Sequence, residues 1–195
     1  MQVKKNEIRA LILSYALDEF EKNGFAGTQM RTIALQSQTS IGNIYRYFTN
    51  KDDLFDAVVQ PVYIKISALI FDLYKNDPTS HAHISLVAHR VSQGIMEVYK
   101  KHGRELFVLI DKNKGSRYEN FMKTVIKMVD ERLKQEISFN DDPSQVLSFV
   151  ISSGFVEGLF IVLRKYQDTA VAQKIIKQMI LFYFDNIQER LELGA

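Results

Sequence analysis

Along most of this chain apolar residues recur at intervals of three and four rather than two, the spacing that gathers them on one face of a helix. Ile8, Leu11, Ile12, Tyr15, Ala16 and Phe20 form the first such stripe, and Asn23-Gly24 after it supplies a residue able to turn left-handed and stop the helix. Met30, Ile33 and Ala34 form a short second stripe, with Thr28 in position to cap it. Gln36 to Thr39 offers no apolar anchor and reads as a turn. Ser40 then caps a third helix of about two turns, with Ile44 and Phe48 inward. Asn50 caps a fourth, whose first turn carries Asp52 and Asp53 and whose stripe of Leu54, Val58, Val62, Ile66, Leu69 and Leu73 passes Pro61. Pro61 has no amide hydrogen and its ring meets the carbonyl of Ala57, so an interruption with a kink is expected.

Asn76-Asp77-Pro78-Thr79-Ser80 is the clearest loop. Ile84 to Lys101 reads as a helix closed near Gly103, Glu105 to Ile110 as a short one and Tyr118 to Ile137 as a long one, with Lys112 to Arg117 as the break. Asp142-Pro143-Ser144-Gln145 is a helix start, with Asp142 as cap, Pro at the first position and Gln three residues on. From Val146 to Leu163 this helix is apolar all round and needs cover on more than one side, and Gly154 and Gly158 admit a close neighbour. The last helix, Thr169 to Leu191, carries Val171, Ile175, Met179, Phe182 and Ile187. The pattern predicts an all-α protein.

Chemistry concentrates on the third helix. With Ile44 and Phe48 inward, Ile41, Asn43, Tyr45, Arg46 and Tyr47 point to other faces, where Arg and Tyr suit phosphates and an Asn amide suits a base edge, adenine being its usual partner. Gly42 costs about 1 kcal/mol of helix propensity relative to Ala, so its presence points to a close backbone approach to a duplex. Lys51 places a cation at a helix start, where it is locally unfavourable, and so reads as a phosphate clamp. Two short helices joined by a polar turn, the second with this face, have the layout of a helix-turn-helix reader of DNA.

These residues resemble the tetracycline-repressor (TetR) family of bacterial transcriptional regulators, whose signature runs Thr, Ile-Ala, a turn, Ser-x-Gly-x-Leu-Tyr-x-His-Phe and Lys. Thr28, Ile33, Ala34, Ser40, Gly42, Ile44, Tyr45, Phe48 and Lys51 stand in register with it. Ser37-Gln38-Thr39 stands where the family favours Ala-Gly-Val, and Tyr47 where it favours His. The resemblance implies a three-helix DNA-binding domain over residues 1–50 and a helical ligand-binding and dimerisation domain over residues 51–195. It implies DNA contacts from Thr28, Ser40, Ile41, Gly42, Asn43, Tyr45, Arg46, Tyr47 and Lys51. It also implies a homodimer on a palindromic operator, in which the last two helices pair with their copies through Phe149, Val156, Phe160, Leu163, Met179 and Phe182. A small-molecule inducer is expected among the large adaptable side chains Phe71, Tyr74, Met96, Tyr99, Phe107, Phe121, Met122 and Phe155, with His89, Gln93 and Arg117 as polar partners. Ordinary core packing accounts for these residues equally well.

Composition changes the picture little. The 195 residues carry a net charge of +2, but residues 1–51 hold seven Lys/Arg against four Asp/Glu, whereas residues 52–195 hold eighteen against nineteen. The positive excess therefore sits with the reading motif. Without Cys, a transmembrane-length apolar run or a basic-then-apolar leader, a cytoplasmic protein with no membrane partner is expected. Asp111, Asn113 and Gly115 faintly suggest a calcium loop, but Met122 at the twelfth position is no carboxylate. His81, His83 and His89 have no companions spaced to complete a metal shell. No nucleophile-base set or phosphate-cradling Gly loop stands out, so neither catalysis nor a cofactor is expected. The competing reading is a TetR-like protein acting mainly through protein partners.

Overall fold

The computed structural model describes residues 2–75, 84–137, 139 and 141–192, and among them every regular element is a helix. In chain order these are α1 (Gln2–Gly27), α2 (Met30–Gln36), α3 (Ile41–Tyr45), α4 (Lys51–Lys75), α5 (Ile84–Asp111), α6 (Phe121–Glu136), α7 (Asp142–Lys165), α8 (Thr169–Phe184) and α9 (Ile187–Glu192). The loop at Asn76 to Ser80, together with His81 and His83, lies outside the described residues, as do the side chains of Phe71 and Tyr74. The chain divides into two compact units, one of residues 1–65 with 102–121 and the other of residues 66–101 with 122–195.

In the first unit, Ile12, Ala16 and Phe20 are spaced by one turn of α1 and are fully buried. The helix loses its geometry at Gly24, whose φ of 68° is open to glycine at little cost. The Phe25 N–H then donates to the carbonyl of Lys112 at 2.7 Å. Phe20, Phe25 and Phe55 meet around one point, with Phe55 edge-on to both partners at centroid distances of 4.8 and 5.1 Å. The cluster continues through Tyr118 to Tyr63 and Phe121, so rings from α1, α4 and the segment before α6 form one core.

Polar ties fix the same elements. Arg104 reaches α1 with 2.6 Å contacts to both Asp18 and Glu21. The Tyr118 hydroxyl donates a short hydrogen bond to Asp56, and Arg117 stands 3.7 Å from the same carboxylate and 4.0 Å from Asp53. Burial and the Asp56 carboxylate push the Tyr118 hydroxyl well above the ordinary tyrosine range, so it stays protonated. The Asn113 amide donates to the carbonyls of Leu109 and Tyr118, which commits that side chain to bracing the break between α5 and α6.

The helix boundaries differ from the pattern at several points. Thr28 does not cap α2: the cap position is Gln29, with no side-chain bond, while the buried Thr28 hydroxyl donates to the carbonyls of Gly24 and Glu19 on α1. α4 runs through Pro61 as one helix, where an interruption was expected. α5, as expected of Ile84–Ile110, is two helical stretches that meet at a kink, where His102 leaves helical geometry (φ −140°, ψ 28°) one residue before Gly103. Asn50 does cap α4, its side chain accepting from the Asp53 N–H at 2.8 Å.

In the second unit, the cap of α7 is Asp141 rather than Asp142, because Asp141 and Ser144 exchange bonds in a capping box. α8 stops at Phe184, short of the expected Leu191, and Asn186 enters left-handed space (φ 48°) before α9. Arg190 of α9 donates to the carbonyls of Phe182 and Tyr183, satisfying the last turn of α8. Gly154 and Gly158 face α8 itself: a Cβ would lie 3.1 Å from the Tyr183 hydroxyl and 2.9 Å from Met179 Cε, respectively. Buried Asp130 of α6 accepts from Ser148 of α7 at 2.5 Å and from Lys134 at 2.8 Å, so its charge is compensated. α7 is also long and apolar enough, by length and composition alone, to cross a membrane, contrary to the sequence reading. Its buried face includes Ser148, Ser152, Val156 and Phe160, a mixture usual for the core helix of a domain.

Tyr118→Phe removes the one neutral donor that Asp56 receives from the ring cluster. The expected loss is about 1.5 kcal/mol of unfolding free energy, the worth of a hydrogen bond to a charged group. Urea denaturation checks it, and a midpoint equal to the parent's would show that the Arg117 contacts alone hold Asp56.

Candidate nucleic-acid interface

α3 is short, so its placement depends on its flanks rather than on helix propensity. Ser40 caps it, its hydroxyl oxygen accepting from the Asn43 N–H at 3.1 Å. Ile44 and Phe48 are buried as expected and fasten the helix to the core. On the Phe48 ring, 5.4 Å from its centroid, lies the Arg9 guanidinium of α1. That contact follows from packing and has no local sequence signal. Before α3, Gln38 takes a φ of 51° and the Thr39 N–H donates to the Ala34 carbonyl at 3.0 Å, which fixes the turn to the end of α2.

The remaining residues of α3 and its C-terminal extension form the polar face. Gly42, Tyr45 and Arg46 are exposed, and Ile41, Asn43 and Tyr47 are half-buried. Gly42 has open space in every direction a Cβ could take, with no atom within 4 Å. Internal packing therefore gives no reason for glycine at this position. Asn43 is less free than the pattern suggested, because its side-chain amide donates to the Thr39 hydroxyl at 2.7 Å.

Besides Ser40 and Asn43, two more of the nine residues expected to touch DNA have internal partners. Thr28 is buried with its hydroxyl on α1. Lys51 donates to the carbonyls of Thr28 at 3.2 Å and Ala26 at 3.5 Å, and its ammonium stands 4.5 Å from the centre of the Phe25 ring. The cation that looked misplaced at the start of α4 thus neutralises carbonyls left open between α1 and α2.

The expected pocket residues do not share one unit. Phe107, Arg117 and Phe121 belong to the first, where Phe121 joins the aromatic core and Arg117 faces Asp53 and Asp56. Met96, Tyr99, Met122 and Phe155 belong to the second, with His89 and Gln93 exposed on α5. Among the expected dimer residues, Val156, Phe160 and Leu163 are buried within a single chain and so form its own core rather than an outer face. Phe149 is 52% exposed and Phe182 is 72% exposed.

Comparison with known proteins agrees with this geometry. Residues 12–58 match the model described as bacterial regulatory proteins, tetR family. The match spans α2 and α3 with parts of α1 and α4. Over 70 residues, 36% of this chain and 37% of the relative's length, the chain is 36% identical to an HTH-type transcriptional repressor of Mycobacterium tuberculosis. In fold it is similar to a transcriptional regulator of the TerR/AcrR family from Aquifex aeolicus, with a TM-score of 0.63 at 16% identity, covering 91% of this chain and 99% of that one. It is also similar to the Bacillus subtilis regulator FadR in complex with stearoyl-CoA, with a TM-score of 0.51 at 18% identity, covering 88% and 97%. The chain thus has a helical fold like that of these regulators over most of its length, with the match to the tetR model confined to residues 12–58.

Gly42→Ala isolates the interface from the fold. Folding stability is expected to stay level or rise by up to about 1 kcal/mol, since the new methyl meets nothing and helix propensity improves. Affinity for duplex DNA is expected to fall at least fivefold, because the methyl occupies the space of the approaching backbone. Thermal unfolding and fluorescence anisotropy on one protein batch measure both, and an unchanged affinity would remove Gly42 from the interface.

Proposed function

We propose that this protein is a homodimeric transcriptional regulator, a cytoplasmic repressor that binds a palindromic DNA operator through α3 and releases it when a small molecule occupies the helical domain over residues 51–195. The observation that carries the reading is Gly42: within a matched tetR-family reading head, its open surroundings give internal packing no part in its selection. Tyr45, Arg46, Tyr47 and Ser40 serve as backbone and phosphate contacts, while Ile41 and Asn43 meet base edges. Lys51 combines its internal role with a phosphate contact, since an ammonium has three donors and the carbonyls use two.

The dimer reading rests on exposed apolar side chains. Phe149 and Phe182, with Val146, Val150 and Ile161, stand open to solvent on α7 and α8, and a second copy of the chain would cover them. The ligand reading rests on Met96, Tyr99, Met122 and Phe155 in the second unit, and on FadR, whose structure holds stearoyl-CoA. A ligand acts by binding the operator-incompetent arrangement more tightly, and operator DNA must then weaken ligand binding by the same factor. The chain path from that unit to the reading head runs along α4 and α5, and His102 leaves helical geometry at the unit boundary in α5.

The direct test is affinity for operator-sized duplexes recovered from genomic DNA, measured against salt. Several phosphate contacts per dimer predict a logarithmic slope of roughly −0.9 per contact. Salt-independent binding, or none, favours the protein-partner reading instead. Assembly has its own measurement. Phe182→Glu is expected to leave a folded chain, because the residue is exposed, but to yield monomers with at least tenfold weaker operator binding. Sedimentation showing an intact dimer would move the interface off α8.

A further inference from the structure

Thr39 departs from the signature noted above, at a position where valine is favoured, and the structure gives its hydroxyl a partner. The Thr39 oxygen accepts the Asn43 side-chain amide at 2.7 Å, while the next residue, Ser40, accepts the Asn43 backbone N–H at 3.1 Å. Two consecutive hydroxyls therefore hold one residue, one by its side chain and the other by its main chain. Thr39 is itself anchored, since its N–H donates to the Ala34 carbonyl at 3.0 Å.

An asparagine amide has two N–H donors and one acceptor oxygen. With one hydrogen on Thr39, the oxygen and the second hydrogen stay available, and these are the two functions that adenine pairs with, through N6 and N7, in the major groove. Holding the amide beforehand also removes the roughly two- to tenfold affinity cost of freezing a mobile side chain at the moment of binding. The hydrogen bond is a preorganising contact at the base-reading end of α3.

We infer that Thr39 is a positioning residue for sequence specificity, which holds the Asn43 amide ready to read one adenine in each operator half-site. This rests on the DNA-reading function proposed above. Valine at the same position keeps the branched shape and lacks the acceptor, whereas serine keeps it.

The test is selection from a random duplex library by the full-length parent, Thr39→Val, Thr39→Ser and Asn43→Ala, followed by affinity measurements on the selected sites and their single-base variants. The parent is expected to enrich a motif with adenine at one position of each half-site. Thr39→Val should lose preference at that position by about five- to tenfold, the lower part of the range for an Asn–adenine pair, with parental thermal midpoint and salt slope. Asn43→Ala should lose preference at the same position, and Thr39→Ser should retain it. Recovery of the parental motif at full strength by Thr39→Val overturns the inference, as does a uniform loss of affinity over all sequences, which marks a structural role. A parent that enriches no motif refutes DNA reading itself. A parent that enriches one while Thr39→Val does the same refutes only the role of Thr39.

Discussion

The reading head depends on the contact of Phe20, Phe25 and Phe55. Two of these rings stand on either side of the point where α1 stops being a helix, and the third enters from the first turns of α4. Edge-to-face packing in a dry core gains about 0.5–1.5 kcal/mol per pair beyond the area buried, and it fixes ring orientation as well as distance. Because Tyr118, Tyr63 and Phe121 extend the same cluster, the break between α5 and α6 is joined to it. α2 and α3 together are too short to hold their own geometry. They are positioned by this core, through Ile33, Ile44 and Phe48.

Polar groups around that core serve the fold before they serve any ligand. Lys51 closes carbonyls between α1 and α2, Thr28 does the same for the end of α1, and Asn43 is tied to the turn before it. Where short helices follow one another, backbone groups left open at helix ends are numerous, and each costs free energy if buried without a partner. Side chains that a signature marks for DNA are the nearest donors. A residue with several donors, such as Lys51, can satisfy both demands, whereas the single hydroxyl of Thr28 has its hydrogen bound to α1.

In the second unit the same economy appears along α7. Its apolar circumference has two separate explanations: Val156, Phe160 and Leu163 pack inward, while Val146, Phe149, Val150 and Ile161 stay open. Gly154 and Gly158 lie against Tyr183 and Met179 of α8, so close approach is already used within one chain. Asp130, Ser148 and Lys134 place a compensated charge where an all-apolar surface would slip more easily.

Periodicity and local cap chemistry by themselves determined the all-α class, the reading pair with Ile44 and Phe48 inward and the cap at Asn50, because those features depend on residues three to ten positions apart. Caps at Asp141 and Gln29, and the end of α8 at Phe184, fell one to seven residues from the expected positions. Several residues there can cap, and the choice depends on which hydroxyl or carboxylate a neighbouring turn leaves free. Only the tertiary structure decided that residues 102–121 return to the first unit, that Arg104 grips Asp18 and Glu21, and that Phe121 joins the aromatic cluster while Arg117 faces Asp53 and Asp56. These contacts join positions more than fifty residues apart in the chain. No local spacing records such pairs, because their partners are chosen by how the helices pack and not by what stands beside them in the sequence.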